Sequence, residues 1–217
     1  MTDFTAARIA MVDCQIRPSD VTRYPIIKAM LTVPREEYLP SAAKAVAYMG
    51  EHVEIGTGRV CLDPRVLAKI IDALAIQPGD LVLDIGAGYG YSTAVVAMIA
   101  EAVVAIESDE SFAETAVGTL QAQGVDNAIV ETGPLEEGAA GHGPYDVVLM
   151  QGGAERLPNA IEEQLRPDGR IAMIEMSGAF GAVKLGVKGA NGITWRRIFD
   201  ATAPVLPGYA AEKAFVF

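Results

Sequence analysis

The chain has 217 residues, 51% of them hydrophobic, and a formal net charge of −11, which suits one α/β unit with a short accessory segment and argues against a nucleic-acid partner. Cys14 and Cys61 form no CxxC pair and read as packing residues, and with His52 and His142 far apart no disulfide framework or metal constellation is legible. The longest apolar run, Thr93–Ala100, stops at Glu101 and is too short for a bilayer, and Met1-Thr2-Asp3-Phe4 lacks signal-peptide design, so the expectation is a cytoplasmic protein with no membrane contact.

In chain order, Thr5–Arg17 carries helical apolar spacing and ends at Pro18, with Ser19-Asp20 able to cap the next helix. Tyr24–Leu31 reads as a short helix ended by Val33-Pro34, Glu36–Tyr48 as loop and short helix, and Glu54–Cys61 as a glycine-rich loop. Val66–Leu74 is an amphipathic helix closed by a turn at Gln77-Pro78-Gly79-Asp80. Strands are expected at Leu81–Ile85, Ala102–Ile106, Ala128–Glu131, Tyr145–Met150 and Gly169–Glu175. Helices are expected at Tyr91–Ala100, Ser111–Gln123 and Ala160–Leu165. Uniformly apolar strands alternating with helices predict a doubly wound, mostly parallel, seven-stranded Rossmann-like sheet. Val183–Lys188 and Thr194–Phe199 flank Asn191-Gly192, which predicts a C-terminal β-hairpin, and Lys213–Phe217 reads as a last strand. Residues 1–65 then form a helical and substrate-loop segment packed on a core of residues 66–217.

Leu81–Ser92, Leu-Val-Leu-Asp-Ile-Gly-Ala-Gly-Tyr-Gly-Tyr-Ser, is a strand, a tight glycine turn and a helix start. Such a turn aims backbone N–H groups at a ligand, and a Cβ would block it. Dinucleotide enzymes space their glycines G-x-G-x-x-G. Here Gly86, Gly88 and Gly90 are spaced G-x-G-x-G, with Asp84 ahead of them. That arrangement favours S-adenosylmethionine, whose ammonium Asp84 can orient directly or through water. Glu107, 19 residues after Gly88, stands where a carboxylate accepts both ribose hydroxyls. The expected cofactor-binding set is Asp84, Gly86, Ala87, Gly88, Tyr89, Gly90, Ser92, Glu107, Ser108, Gly133, Pro134, Leu135 and Gln151, with no metal.

Further segments resemble the protein-L-isoaspartate O-methyltransferases. Met11-Val12-Asp13-Cys14-Gln15-Ile16 is similar to the family's Met-Val-x-x-Gln-Ile/Leu, and Ala29-Met30 with Val33-Pro34-Arg35-Glu36-Glu37-Tyr38-Leu39-Pro40 to its Ala-Met-x-x-Val-Pro-Arg-Glu-x-Phe-Val-Pro. Ile55-Gly56-Thr57-Gly58, Pro64, Pro144-Tyr145-Asp146 and Leu165-Arg166-Pro167-Asp168-Gly169-Arg170 extend the likeness over roughly residues 8–175. The resemblance implies methylation of the α-carboxylate of isoaspartyl residues in a protein or peptide substrate. A carboxylate is already ionised at neutral pH and needs no general base.

Two departures stand out. The family's Gln-Thr-Ile-Ser-x-Pro aligns with Arg59-Val60-Cys61-Leu62-Asp63-Pro64, so its serine, placed beside the reacting groups, is Leu62 and its threonine is Val60. Its Gly-Asp-Gly, whose acid lies near the adenine, aligns with Gly133-Pro134-Leu135, leaving Glu131 or Glu136 as substitutes. Arg59 reads either as a partner for a substrate carboxylate or as a solvated loop arginine. Three readings stand open: an isoaspartyl methyltransferase with an altered substrate loop, a methyltransferase for another acceptor, and a cofactor-binding homologue without turnover. Nothing in the sequence bears on oligomeric state.

Overall fold

The computed structural model describes residues 3–211. Helix α1, Phe4–Met11, starts where the Asp3 side chain accepts the Ala6 N–H at 3.0 Å, satisfying one of the open donors of the first turn. The rod runs on through a π-helical stretch, Val12–Ile16, and a 3-10 turn, Arg17–Ser19, before Asp20 reverses it at φ 65°. The one helix expected over Thr5–Arg17 is therefore continuous but changes its hydrogen-bond spacing. Helix α2, Tyr24–Thr32, stops because Val33 precedes a proline and is forced extended, at φ −74° and ψ 120°.

The glycine-rich stretch expected as a loop is an antiparallel ribbon, β1 (Val53–Gly56) with β2 (Arg59–Cys61), turning at Thr57-Gly58. Its turn needs a left-handed residue, which Gly58 supplies at φ +68°. Helix α3, Pro64–Leu74, comes next, with the Asp63 carboxylate accepting the Arg65 N–H at 2.7 Å and proline in its first turn. Leu67, Ile70, Ile71 and Leu74 on its inner face are each at most 1% exposed, and each contributes about 1.5–3 kcal/mol of burial.

The main sheet has β3 (Leu81–Ile85), β4 (Ala102–Glu107), β5 (Ala128–Thr132), β6 (Tyr145–Ala154), β7 (Leu165–Ser177), β8 (Phe180–Gly189) and β9 (Gly192–Asp200) in the order β5-β4-β3-β6-β7-β8-β9. The first five strands of that order pair in parallel, and β8 and β9 are added antiparallel. Helices α4 (Tyr91–Ala97), α5 (Glu110–Ala122) and α6 (Asn159–Gln164) make the crossovers. The expected hairpin forms, and its positive φ falls on Gly192 at +103°, not on Asn191. Met11, Ile16 and Met30 of the N-terminal segment share one core cluster with Val82 of β3 and Leu149 of β6.

After β9 the chain returns along β6 as an extended strap. Gly153 donates to Pro204 O at 2.8 Å and accepts from Leu206 N at 2.9 Å. A side chain on Gly153 would meet Ala203 O at 2.6 Å, so the strap can lie this close only against glycine. Tyr209 anchors it, fully buried, with its hydroxyl donating to Leu135 O at 3.0 Å. His52 ties the strap to the start of α3: its Nδ1 accepts the Asp63 N–H at 2.8 Å, which leaves Nε2 to donate to Thr202 O at 2.7 Å. The strand expected at Lys213–Phe217 lies outside the described residues. Among the described residues no helix is long and apolar enough to cross a membrane.

Candidate functional site

Strand β3 has β4 on one side and β6 on the other, and successive connections leave it in opposite directions. The crevice at its carboxyl end is where doubly wound sheets bind ligands. The glycine turn sits there. Gly86, Gly88 and Gly90 hold φ of +75°, +57° and +89°, so all three need the left-handed freedom of glycine. Gly90 closes the turn and begins α4.

Asp84 is the penultimate residue of β3 and wholly buried. Its Oδ2 accepts from Ser92 Oγ at 2.6 Å and Thr93 Oγ1 at 2.7 Å, and its Oδ1 from Gln151 Nε2 at 2.9 Å. Burial pushes the Asp84 carboxyl above the usual carboxylate range; the three side-chain donors pull the other way, and the negative Glu107 adds to the rise. No cation is among its hydrogen-bond partners, so a ligand ammonium would offset a buried charge that the protein leaves unpaired. Thr93 is a site residue that the sequence reading misses. The signal for it is a second hydroxyl in the first turn of a helix that comes after a strand-end carboxylate.

Glu107 ends β4, also wholly buried. Its Oε1 accepts from Ser108 N at 2.7 Å and Asp109 N at 3.1 Å, and its Oε2 from Gly88 N at 2.8 Å. The remaining capacity is taken by Arg59, whose Nη1 lies 2.7 Å from Oε1 and Nη2 2.6 Å from Oε2. Nη2 also donates to Gly86 O at 2.9 Å, and the guanidinium carbon stands 5.8 Å from the centre of the Phe112 ring. Arg59 is 6% exposed, which overturns its reading as a solvated loop residue.

The expected substrate-loop residues separate. Val60 and Cys61 line a small cavity with Tyr38, Tyr89 and Gln151, about 10 Å³ in volume and so with room for no more than one water. Leu62 is turned away, 1% exposed in the hydrophobic core, and only its carbonyl is used, accepting from Arg35 Nη2 at 2.8 Å. Leu62 therefore does not stand among the site side chains. Burial pushes the Cys61 thiol up, with Arg35 opposing, whereas Cys14 is exposed and not a packing residue.

The expected adenine-side residues also divide. Gly133 docks on β4, its N–H 3.0 Å from Glu107 O, while Pro134 is exposed. Leu135 is fully buried in the core beneath Tyr209, so its side chain is withdrawn from the crevice. Of the carboxylates named as substitutes, Glu131 is engaged by His142 Nε2 at 2.5 Å. Ala87 is buried in the turn, Ser108 is exposed at its rim, and Tyr89 packs edge-on against Phe112 with ring centres 5.0 Å apart.

Known proteins share this sequence pattern and this fold. The sequence profile described as Protein-L-isoaspartate(D-aspartate) O-methyltransferase matches residues 8–196. Protein-L-isoaspartate O-methyltransferase 1 of Rhodopseudomonas palustris (strain HaA2) is 37% identical over 172 residues, covering 79% of this chain and 70% of that one. The protein-L-isoaspartate O-methyltransferase of Roseiflexus castenholzii is 33% identical over 211 residues, covering 96% and 95%. A solved protein-L-isoaspartate O-methyltransferase superposes with a TM-score of 0.82 at 22% identity, covering 93% of this chain and 66%, just under two thirds, of its own. A Plasmodium falciparum structure described as such an enzyme, in complex with S-adenosyl-L-homocysteine, superposes at 0.78 with 18% identity, covering 95% and 99%. The two structures carry the fold, and the sequence matches, which run from α1 through the glycine turn into β9, carry the descent: the chain belongs to the protein-L-isoaspartate(D-aspartate) O-methyltransferase family.

Proposed function

We propose that the chain is an S-adenosylmethionine-dependent O-methyltransferase that esterifies a carboxylate of isoaspartyl residues in proteins or peptides. The observation that carries the reading is the glycine turn held between two wholly buried carboxylates, Asp84 and Glu107, at the switch point of the sheet. Family membership supplies the substrate class.

The donor set fits the cofactor. The one open acceptor position on Asp84, between the Ser92, Thr93 and Gln151 donors, suits its ammonium. The turn admits a ligand against bare backbone. Glu107 is an acceptor of the kind that takes vicinal ribose hydroxyls. The space fits only after a rearrangement, because Arg59 lies on that acceptor.

When bound, S-adenosylmethionine supplies a methyl group on a sulfonium, activated without metal or base. The protein's part is then to bind, orient and exclude water. Asp84 and the turn would hold the donor end, and the closely packed Tyr38, Val60 and Cys61 beside it leave space for no more than one water.

The test is transfer of labelled methyl from S-adenosylmethionine to an isoaspartyl peptide, with the normal aspartyl peptide as control. Base-labile ester on the isoaspartyl peptide alone is the expected result; label on neither peptide overturns the substrate assignment. A second reading, the same transfer to a different carboxylate, is favoured by Leu62, which buries an apolar side chain where the family motif has serine.

A further inference from the structure

We propose that Arg59 is an internal occupant of the cofactor's ribose position, and that the β1–β2 ribbon carrying it must swing off the glycine turn for the cofactor to bind. The proposal rests on the cofactor reading above and adds a gate to it.

The first support is the saturation of Glu107. Its two oxygens take N–H donors from Gly88, Ser108, Asp109 and both ends of the Arg59 guanidinium. A carboxylate has about four lone-pair positions, so nothing remains for a ribose. The guanidinium presents two parallel donors to the two oxygens, the pattern that two vicinal hydroxyls also present. The two ligands are chemical substitutes at one acceptor and exclude each other. Taking Arg59 away removes one charged donor from each oxygen and opens a position on Oε2, while two backbone donors on Oε1 and one on Oε2 stay and keep the carboxylate oriented.

The second support is steric. A Cβ on Gly86 would lie 3.3 Å from Arg59 Nη2, and one on Gly88 would lie 2.5 Å from Ile55 Cδ1. Two side chains of the ribbon therefore rest on the glycine backbone that a ligand would approach.

The third support is that the plug can leave. The ribbon is a separate two-stranded sheet with no ladder to the main one. Its turn at Thr57-Gly58 is exposed, with open space around Gly58. Arg59 Nε is buried without a hydrogen-bond partner, so the closed position leaves a donor unsatisfied and is stabilised less than the ion pair alone suggests. An open state that lies above the closed one but within reach, as a minor population, is what a gate requires.

Calorimetry of S-adenosylhomocysteine binding to the full chain and to Arg59→Gln, the residue of the family motif at this position, tests the proposal. The expected result is binding at least about tenfold tighter in the variant, because the competent state no longer has to be drawn from a minor population. The same affinity in both proteins overturns the gate and leaves the cofactor reading standing. Binding by neither overturns both. Trypsin supplies a measurement on the unaltered chain: saturating S-adenosylhomocysteine should speed cleavage after Arg59 while slowing cleavage elsewhere. Ligand binding with unchanged protection of the Arg59 bond overturns the gate, whether or not the variant folds.

Discussion

Arg59 and Glu107 stand 48 residues apart in the chain and meet as a two-pronged buried ion pair, 2.7 and 2.6 Å at its two contacts. Removing one partner strands the other's charge in the interior. Glu107→Gln should therefore destabilise the protein in urea unfolding, though by less than the about 3–5 kcal/mol of a locked buried pair, because the freed Arg59 can swing out with its ribbon. Arg59→Gln/Glu107→Gln should lose less than the sum of the single substitutions, with a coupling of at least about 1 kcal/mol. Additive losses would mean that the pair does not form.

Asp84 is held above the usual carboxylate range by burial. A carboxyl whose folded pKa is raised binds its proton more tightly folded than unfolded, so its ionisation costs stability as pH rises through the folded value. Asp84→Asn should melt higher than the parent at neutral pH. The gap should narrow as pH falls through the raised value toward the ordinary carboxylate range. A gap independent of pH counts against a buried charge at this position.

Leu62 invites restoration to the serine of the family motif. Its side chain is 1% exposed in the core. Leu62→Ser should cost about 3 kcal/mol or more by leaving a cavity, and the hydroxyl would enter an apolar cluster. We expect a lower melting temperature and no gain in ester formation on an isoaspartyl peptide. A gain would show that residue 62 reaches the acceptor.

Gly88 combines φ +57° with a contact of 2.5 Å from its would-be Cβ to Ile55. Gly88→Ala should destabilise the chain by about 1–3 kcal/mol from left-handed strain and overpacking together. Ile55→Ala on the same background should recover part of that loss. A neutral Gly88→Ala would mean that β1 does not rest on the turn.

Tyr209 fixes the strap by one buried hydroxyl and a fully buried ring. Tyr209→Phe should cost about 0.5–1.5 kcal/mol and Tyr209→Ala about 3–5 kcal/mol. Limited proteolysis should then cut between Pro204 and Ala210 in the alanine variant first. Equal resistance in all three proteins would remove the anchoring role.

The sequence by itself determined the elements whose causes are local. An apolar strand, the Gly86–Gly90 turn, the Asn191-Gly192 hairpin and the helix stop at Val33-Pro34 act on the backbone within a few residues, so pattern suffices to read them. The carboxylates near the ends of β3 and β4 were legible for the same reason, since strand alternation fixes to which side each of these side chains points. Tertiary structure alone decided what those carboxylates hold. Arg59 sits in a glycine-rich stretch whose strand pairing depends on docking against the crevice, and its partner is chosen by the crossover that brings β4 beside β3. Leu62 and Leu135 turn inward because the core has room for leucine there, a packing result that no spacing of residues encodes.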